Sequence, residues 1–205
     1  MSRQPPGSGA RPQAVVIAGP NGAGKTSAAP DLLRDAVGID VFVNAYAIAE
    51  GLAAFDPASA AIAAGRIMLR RLDELARTGT DLAFESTLAG RGIRRRIMGL
   101  NARGYDLHIF YLWLPSPEMA VARVRSRVAT GGHGVPEGVI RRRFWRSLVN
   151  FDAVCRPIAT VWRMYDGSVV GERPVIARGH SRGEPSVHDE RKWAIIQEQI
   201  AEHSS

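Results

Sequence analysis

Eight consecutive residues, Gly19-Pro20-Asn21-Gly22-Ala23-Gly24-Lys25-Thr26, fit the pattern G-x-x-x-x-G-K-S/T. The chemistry this pattern serves is the cradling of a polyphosphate. Its glycines let the backbone wrap so that successive N–H groups face phosphate oxygens, the amino end of the following helix adds positive potential, and the lysine reaches the terminal phosphates. Thr26 is the candidate magnesium ligand, and Ser27 continues the nucleotide-binding stretch. Of the 27 basic residues, 25 are Arg, and only Lys25 and Lys192 are Lys. A compact charge on a flexible stem is what such a loop needs, and an arginine is not its equivalent. The motif points to ATP and Mg2+ as cofactors but leaves the fate of the γ-phosphate open.

Two further groups could act on a phosphate held there. Glu85, followed by Ser86 and Thr87, ends a short apolar run and falls at the carboxyl edge of a strand, where open α/β sheets bind ligands. Its carboxylate is a candidate for the magnesium shell or for accepting a substrate hydroxyl proton, and Thr87 is a candidate donor to substrate. Arg123, Arg125 and Arg127, then Gly131-Gly132-His133-Gly134, then Arg141, Arg142 and Arg143 make a basic segment with a glycine hinge. Arginines on two helices flanking such a hinge can converge on a transferring phosphoryl group. His133 reads as a hinge or packing residue, with direct substrate contact as its alternative.

The elements that must position these groups alternate in type. Residues 13–18 read as a buried strand between Pro12 and Gly19, and a helix should begin near Lys25. Further strands are expected at 40–44, 81–85, 105–114, 161–165 and 174–177, and helices at 56–77, 90–103, 116–129, 136–150 and 188–202. Asp56-Pro57 reads as the N-cap and first position of the longest helix. The alternation implies an α/β P-loop fold, a parallel sheet flanked by helices, with residues 120–150 forming a helical basic lid. One kinase-like domain over 13–205 is expected, behind a tail of residues 1–12 whose Gly, Pro, Ser and Arg read as disordered.

Composition narrows the partners. The chain has 205 residues, 45% hydrophobic and 23% charged, enough for one domain with a real core. No apolar stretch reaches the roughly 18 residues of a membrane helix, and no apolar segment near Met1 resembles a secretory signal, so no membrane association is expected. A single cysteine, Cys155, has no disulfide or zinc companion, which fits a reducing cytoplasm. The formal charge of +7 favours an anionic partner, whether nucleic acid, membrane surface or phosphorylated small molecule. Nucleic acid is disfavoured because the arginines gather at the lid with no interleaved aromatic platform. Trp113, Trp145, Trp162 and Trp193 read as core or interface residues rather than sugar platforms.

The combination of Ile17-Ala18 with the phosphate loop, Phe42-Val43-Asn44-Ala45, Phe84-Glu85-Ser86-Thr87-Leu88, Arg127-Val128, Gly131-Gly132-His133, Val135-Pro136 and Arg141-Arg142-Arg143-Phe144 resembles the zeta-toxin-like P-loop kinases of toxin–antitoxin systems, in family order over residues 13–180. The resemblance implies transfer of the ATP γ-phosphate to a hydroxyl of a UDP-activated amino sugar, and a cognate antitoxin protein as partner. It implies catalytic roles for Lys25, Glu85, Arg127 and Arg142 or Arg143, and substrate contacts for Asn44, Glu85, Thr87 and His133. Tyr46 departs from the family, which usually carries an Asp after the Asn-Ala pair as the base for the acceptor hydroxyl. A phenol is almost wholly protonated at neutral pH and is a poor base. Four readings follow: an attenuated kinase, a full kinase using Glu50 or Glu85, a degenerate nucleotide-binding protein, or a basic nucleic-acid-binding ATPase.

Overall fold

A computed structural model describes residues 11–34, 39–57, 59–132, 134–169, 171–181 and 183–204. Seven strands form one sheet: β1 (Gln13–Ala18), β2 (Phe42–Val43), β3 (Leu82–Ser86), β4 (Asp106–Trp113), β5 (Val161–Asp166), β6 (Val175–Gly179) and β7 (Ser186–Val187). Their spatial order is β2-β3-β1-β4-β5-β6-β7. The first five are parallel, as the alternating elements predict. Two antiparallel strands, β6 and β7, extend the edge; β7 is too short to leave a pattern in the sequence.

Helices cover both faces: α1 (Lys25–Arg34), α2 (Ala45–Leu52), α3 (Ala61–Thr78), α4 (Arg91–Ala102), α5 (Pro117–Ala129), α6 (Glu137–Asn150) and α7 (Glu190–His203). The central strand divides the core. Ala14, Val16 and Ala18 face one apolar cluster, and Val15 and Ile17 face the other. All five are fully covered, so the strand reads as a continuous apolar run rather than an alternating one. Burying each of its branched side chains contributes roughly 1.5–3 kcal/mol. Trp113 and Trp162 are core residues, while Trp145 and Trp193 are half-buried.

Several elements differ from the sequence reading: the strand expected at 40–44 is only Phe42–Val43, and two helical stretches depart further. The helix expected to open at Asp56-Pro57 begins instead at Ala61. Asp56 opens a turn instead: its Oδ1 accepts from the Ser59 amide at 3.4 Å and its backbone carbonyl from Ser59 Oγ at 2.7 Å, so its polar groups are used before the helix begins. After α6 the chain continues through a π-helical turn, Phe151–Cys155, and a 3₁₀ turn, Arg156–Ile158, which the sequence reading left unassigned. Of the tail expected over 1–12, residues 1–10 lie outside the described residues. Arg11 ion-pairs with Asp106 at 3.2 Å, and the Pro12 carbonyl accepts from the Asp106 amide. Among the described residues no helix is long and apolar enough to cross a membrane.

Candidate active site

Register brings the chemistry to one edge. In the parallel pairing Ile17 lies beside Glu85 and Val43 beside Phe84. The loop that leaves β1 at Gly19, the carboxylate near the end of β3, and Asn44 just past β2 therefore meet at the carboxyl ends of adjacent strands. Ligands bind there in open α/β sheets.

The loop from Gly19 to Gly24 turns into α1 through left-handed backbone. Gly22, at φ 79°, could not carry a side chain, because a Cβ there would lie 2.8 Å from the Ala120 carbonyl oxygen of α5. Lys25 folds back over the loop and its Nζ donates to the carbonyls of Gly19 and Pro20 at 2.9 and 2.8 Å. Burial pushes the pKa of this ammonium down to about 8; Glu85 opposes the shift and Arg127 adds to it.

Glu85 is the hub of the polar network. Its Oε2 accepts from Thr26 Oγ1 at 3.1 Å and its Oε1 from Asn44 Nδ2 at 3.2 Å. Burial raises its pKa, while the Lys25 charge and the Thr26 hydrogen bond hold it back in part. Asn44 also caps α2, its Oδ1 accepting from the Tyr46 amide at 2.7 Å. One amide side chain thus ties the start of α2 to the carboxylate.

These groups line a cavity of about 470 Å³, together with Asn21, Gly22, Gly24, Ser27, Tyr46, Ala47, Glu50, Arg123, Arg127, Gly131 and Gly132. Gly19 and Pro20 act through the carbonyls that hold Lys25, Ala23 is buried in the core, and none of the three lines the cavity. Arg127 donates to the Tyr46 hydroxyl at 3.4 Å and lies 5.3 Å from the centre of its ring, a cation–π geometry. Thr26 and Glu85 could hold a metal ion: a hydroxyl and a carboxylate are hard oxygen donors, which suit Mg2+ completed by water and phosphate oxygens. Among the described residues no group of three or more His, Cys, Asp or Glu could hold a metal by itself.

Several expected residues fall elsewhere. Arg142 and Arg143 are exposed on α6 and do not line the cavity. Helix period explains this: α6 buries Ile140, Phe144, Ser147 and Leu148, which turns residues 141–143 outward. Arg141 pairs with Glu137 at 2.8 Å and with Glu118, and Arg125 with Glu137 at 2.6 Å, tying α5 to α6 on the surface. The arginines in the cavity are Arg123 and Arg127, one helical turn apart on α5. Thr87 is half-buried outside the cavity, in a turn where Leu88 adopts φ 57° and Ser86 Oγ accepts from the Leu88 amide at 2.9 Å. His133 lies outside the described residues. The sequence reading gave no individual role to Arg123, although its i,i+4 spacing from Arg127 was visible.

A phosphate loop between β1 and α1 of a mainly parallel sheet, with α5 and α6 beside it, defines a P-loop protein of the nucleotide-kinase type. The chain belongs to the zeta toxin family, whose model matches residues 2–170. An uncharacterized protein of Haemophilus influenzae is 29% identical over 132 residues, which cover 64% of this chain and 92% of that protein. Among solved structures, a chain of the AvrRxo1-ORF1:-ORF2 complex with ATP superposes with a TM-score of 0.71 at 20% identity, over 92% of this chain. The match covers 64% of that chain, less than two thirds of its length. A chain of the PezAT toxin–antitoxin system of Streptococcus pneumoniae matches with a TM-score of 0.60 at 15% identity, over 97% of this chain and 89% of that one. At these identities the structural likeness is one of fold.

Proposed function

We propose that the protein is an ATP-dependent phosphotransferase that moves the γ-phosphate to a hydroxyl of a small acceptor, a UDP-activated amino sugar or a related nucleotide metabolite. The observation that carries this reading is the convergence of Lys25, Thr26, Glu85, Arg123 and Arg127 on one cavity at the mouth of the phosphate loop. Lys25 would exchange its two carbonyl partners for phosphate oxygens, and the loop amides would hold the β-phosphate. Thr26 and Glu85 would hold a magnesium ion, which supplies charge neutralisation between the phosphates. Arg127, and Arg123 beside it, would face the charge that develops on the transferring group.

In the transfer the acceptor oxygen bonds to the γ-phosphorus as the bond to the β,γ-bridging oxygen breaks, ADP leaves, and the hydroxyl proton passes to a carboxylate. Glu50 and Glu85 both line the cavity: Glu50 would take that proton where Glu85 holds the magnesium, and Glu85, oriented by Asn44, would take it where it does not. Tyr46 cannot replace them efficiently, and it engages Arg127 through both its ring and its hydroxyl. That engagement favours a second reading, nucleotide binding with attenuated transfer. The matching PezAT structure is of a toxin–antitoxin system, and we propose an antitoxin protein as this chain's partner and the cytoplasm as its site of action.

The test is mass spectrometry of products after incubation with Mg-ATP and a panel of UDP-sugars and nucleosides, with Lys25→Ala as control. An acceptor that gains one phosphate only when Lys25 is intact is the expected result. ATP binding with no acceptor modified refutes transfer to this class and leaves the attenuated reading.

A further inference from the structure

The second lysine, Lys192, lies in α7, beyond the residues that the family model matches. Its Nζ is 2.6 Å from Asp189 Oδ2 and 3.3 Å from Asp166 Oδ2. Asp189 is the N-cap of α7, so that contact is local. Asp166 is different: it ends β5, 26 residues earlier, and is 1% exposed. A carboxylate so buried is strongly unfavourable unless a counter-charge and hydrogen bonds meet it. Lys192 supplies the charge, and the amide and hydroxyl of Ser168 donate to Asp166 Oδ1 at 2.7 and 2.6 Å.

Those bonds fold residues 166–168 into an Asx turn whose carbonyls point one way. The Gly167 and Ser168 carbonyls both accept from the Arg123 guanidinium, Ser168 at 2.8 Å. The turn is also pressed against the phosphate loop, since a Cβ at Gly167 would lie 3.2 Å from the Ala23 carbonyl oxygen and 2.8 Å from that of Trp113. Arg123 is the residue whose Cβ stands 3.3 Å from a Cβ built on Gly22. Carbonyl acceptors fix a guanidinium without neutralising it, whereas a carboxylate in their place would cancel the charge that the cavity uses.

We propose that Lys192 is a positioning residue for the nucleotide cavity, holding the Asp166 carboxylate so that the 166–168 turn aims Arg123 at the phosphate loop. The inference rests on the reading of this cavity as a nucleotide site. A second contact from the same part of the chain supports it: Arg173 pairs with Asp31 at 3.0 Å and donates to the Ser27 carbonyl at 3.2 Å, on the first turn of α1. Residues beyond 170 thus bear on both helices that flank the phosphate loop, directly on α1 through Arg173 and on α5 through the 166–168 turn.

Calorimetric ADP binding by the full chain tests this with Lys192→Met, Arg123→Met and the double variant. Lys192→Met keeps the stem and removes the charge. Its Kd should rise about tenfold, the scale of one charge-assisted hydrogen bond. The double variant should bind no worse than Arg123→Met, because the lysine acts through the arginine, and Lys192→Arg should recover most of the affinity. Amide exchange at 166–169 should quicken in Lys192→Met. Unchanged affinity in Lys192→Met, or additive losses in the double variant, overturns the inference. If Lys192→Met does not fold, Asp166→Asn carries the same cycle. Failure of the wild-type chain to bind ADP overturns the nucleotide reading and this inference together, whereas normal wild-type binding with an insensitive Lys192→Met overturns the inference alone.

Discussion

Burial brings the Lys25 ammonium into the mildly alkaline range, and this makes nucleotide affinity depend on pH in a calculable way. Burial lowers its pKa from 10.5 to about 8, with Glu85 as the opposing influence. Phosphate selects the charged form, so binding above that pKa must first take up a proton. With a pKa of about 8, the charged fraction falls from about three quarters at pH 7.5 to about one tenth at pH 9, and ADP affinity should fall roughly eightfold over that interval. The sign is set by the lowered pKa: the ammonium is present below pH 8 and lost above it. Calorimetry of ADP binding in EDTA leaves magnesium out of the equilibrium, and starting at pH 7.5 keeps clear of most of the phosphate's own titration. Repeating it in buffers of different ionisation enthalpy reads the proton uptake directly. Glu85→Gln removes the charge that favours the ammonium and should move the midpoint to lower pH, while Lys25→Met should flatten the profile. An affinity independent of pH from 7.5 to 9 in the wild-type chain, with no proton uptake, would refute the burial argument.

Tyr46→Asp should raise acceptor phosphorylation at least tenfold, against the 10²–10⁴ that a positioned base typically supplies, because a carboxylate in the first turn of α2 replaces a phenol and suits the helix N-terminus; unchanged turnover removes Tyr46 from the catalytic argument. Gly22→Ala places a Cβ 2.8 Å from the Ala120 carbonyl at a left-handed residue. It should weaken ADP binding more than tenfold and lower Tm by several degrees, on a strain of about 1–2 kcal/mol before the clash is counted; wild-type affinity and Tm would show that α5 yields there. Cys155 is buried and its thiol is pushed up to about 12. Iodoacetamide at pH 8 should leave the native chain unmodified and label it on unfolding, and labelling of the native chain would contradict the packing around the π-helical turn.

What could be read from the sequence was local. The phosphate loop is contiguous, and each of its positions has one conformational or chemical reason, so string and geometry coincide. Glu85 could be placed because a strand that ends on a carboxylate delivers it to the sheet edge. Asp56 misled because an Asp before a Pro suits a turn as well as an N-cap, and here its bonds to Ser59 belong to a turn that precedes the helix start at Ala61. Arg127 lines the cavity as expected, but Arg142 and Arg143 do not, for a different reason. A basic run states charge but not face, and Ile140 and Phe144, which turn Arg142 and Arg143 outward, had to be read as a helical stripe before the arginines between them could be assigned.

The same distinction explains why Asn44 and Lys192 carried no signal from the residues alone. Asn44 is an ordinary N-cap by its place before α2, and its donation to Glu85 exists only because β2 and β3 pair in register. Lys192 and Asp166 are 26 residues apart on a helix and a strand, and the intervening antiparallel edge makes their distance a property of the sheet. A rare lysine in an arginine-rich chain was the one trace that the Lys192 contact left, whereas Lys25 was marked by a contiguous motif as well. Lys25 occupies its place because a compact charge on a flexible stem must reach phosphate, and Lys192 because such a charge must reach both Asp189 and a buried carboxylate from a helix start. The two positions differ in how strict that demand is: Lys25→Arg should abolish nucleotide binding while Lys192→Arg is tolerated. The first must leave its carbonyl partners for a ligand in a confined loop; the second has only to remain at a half-exposed ion pair.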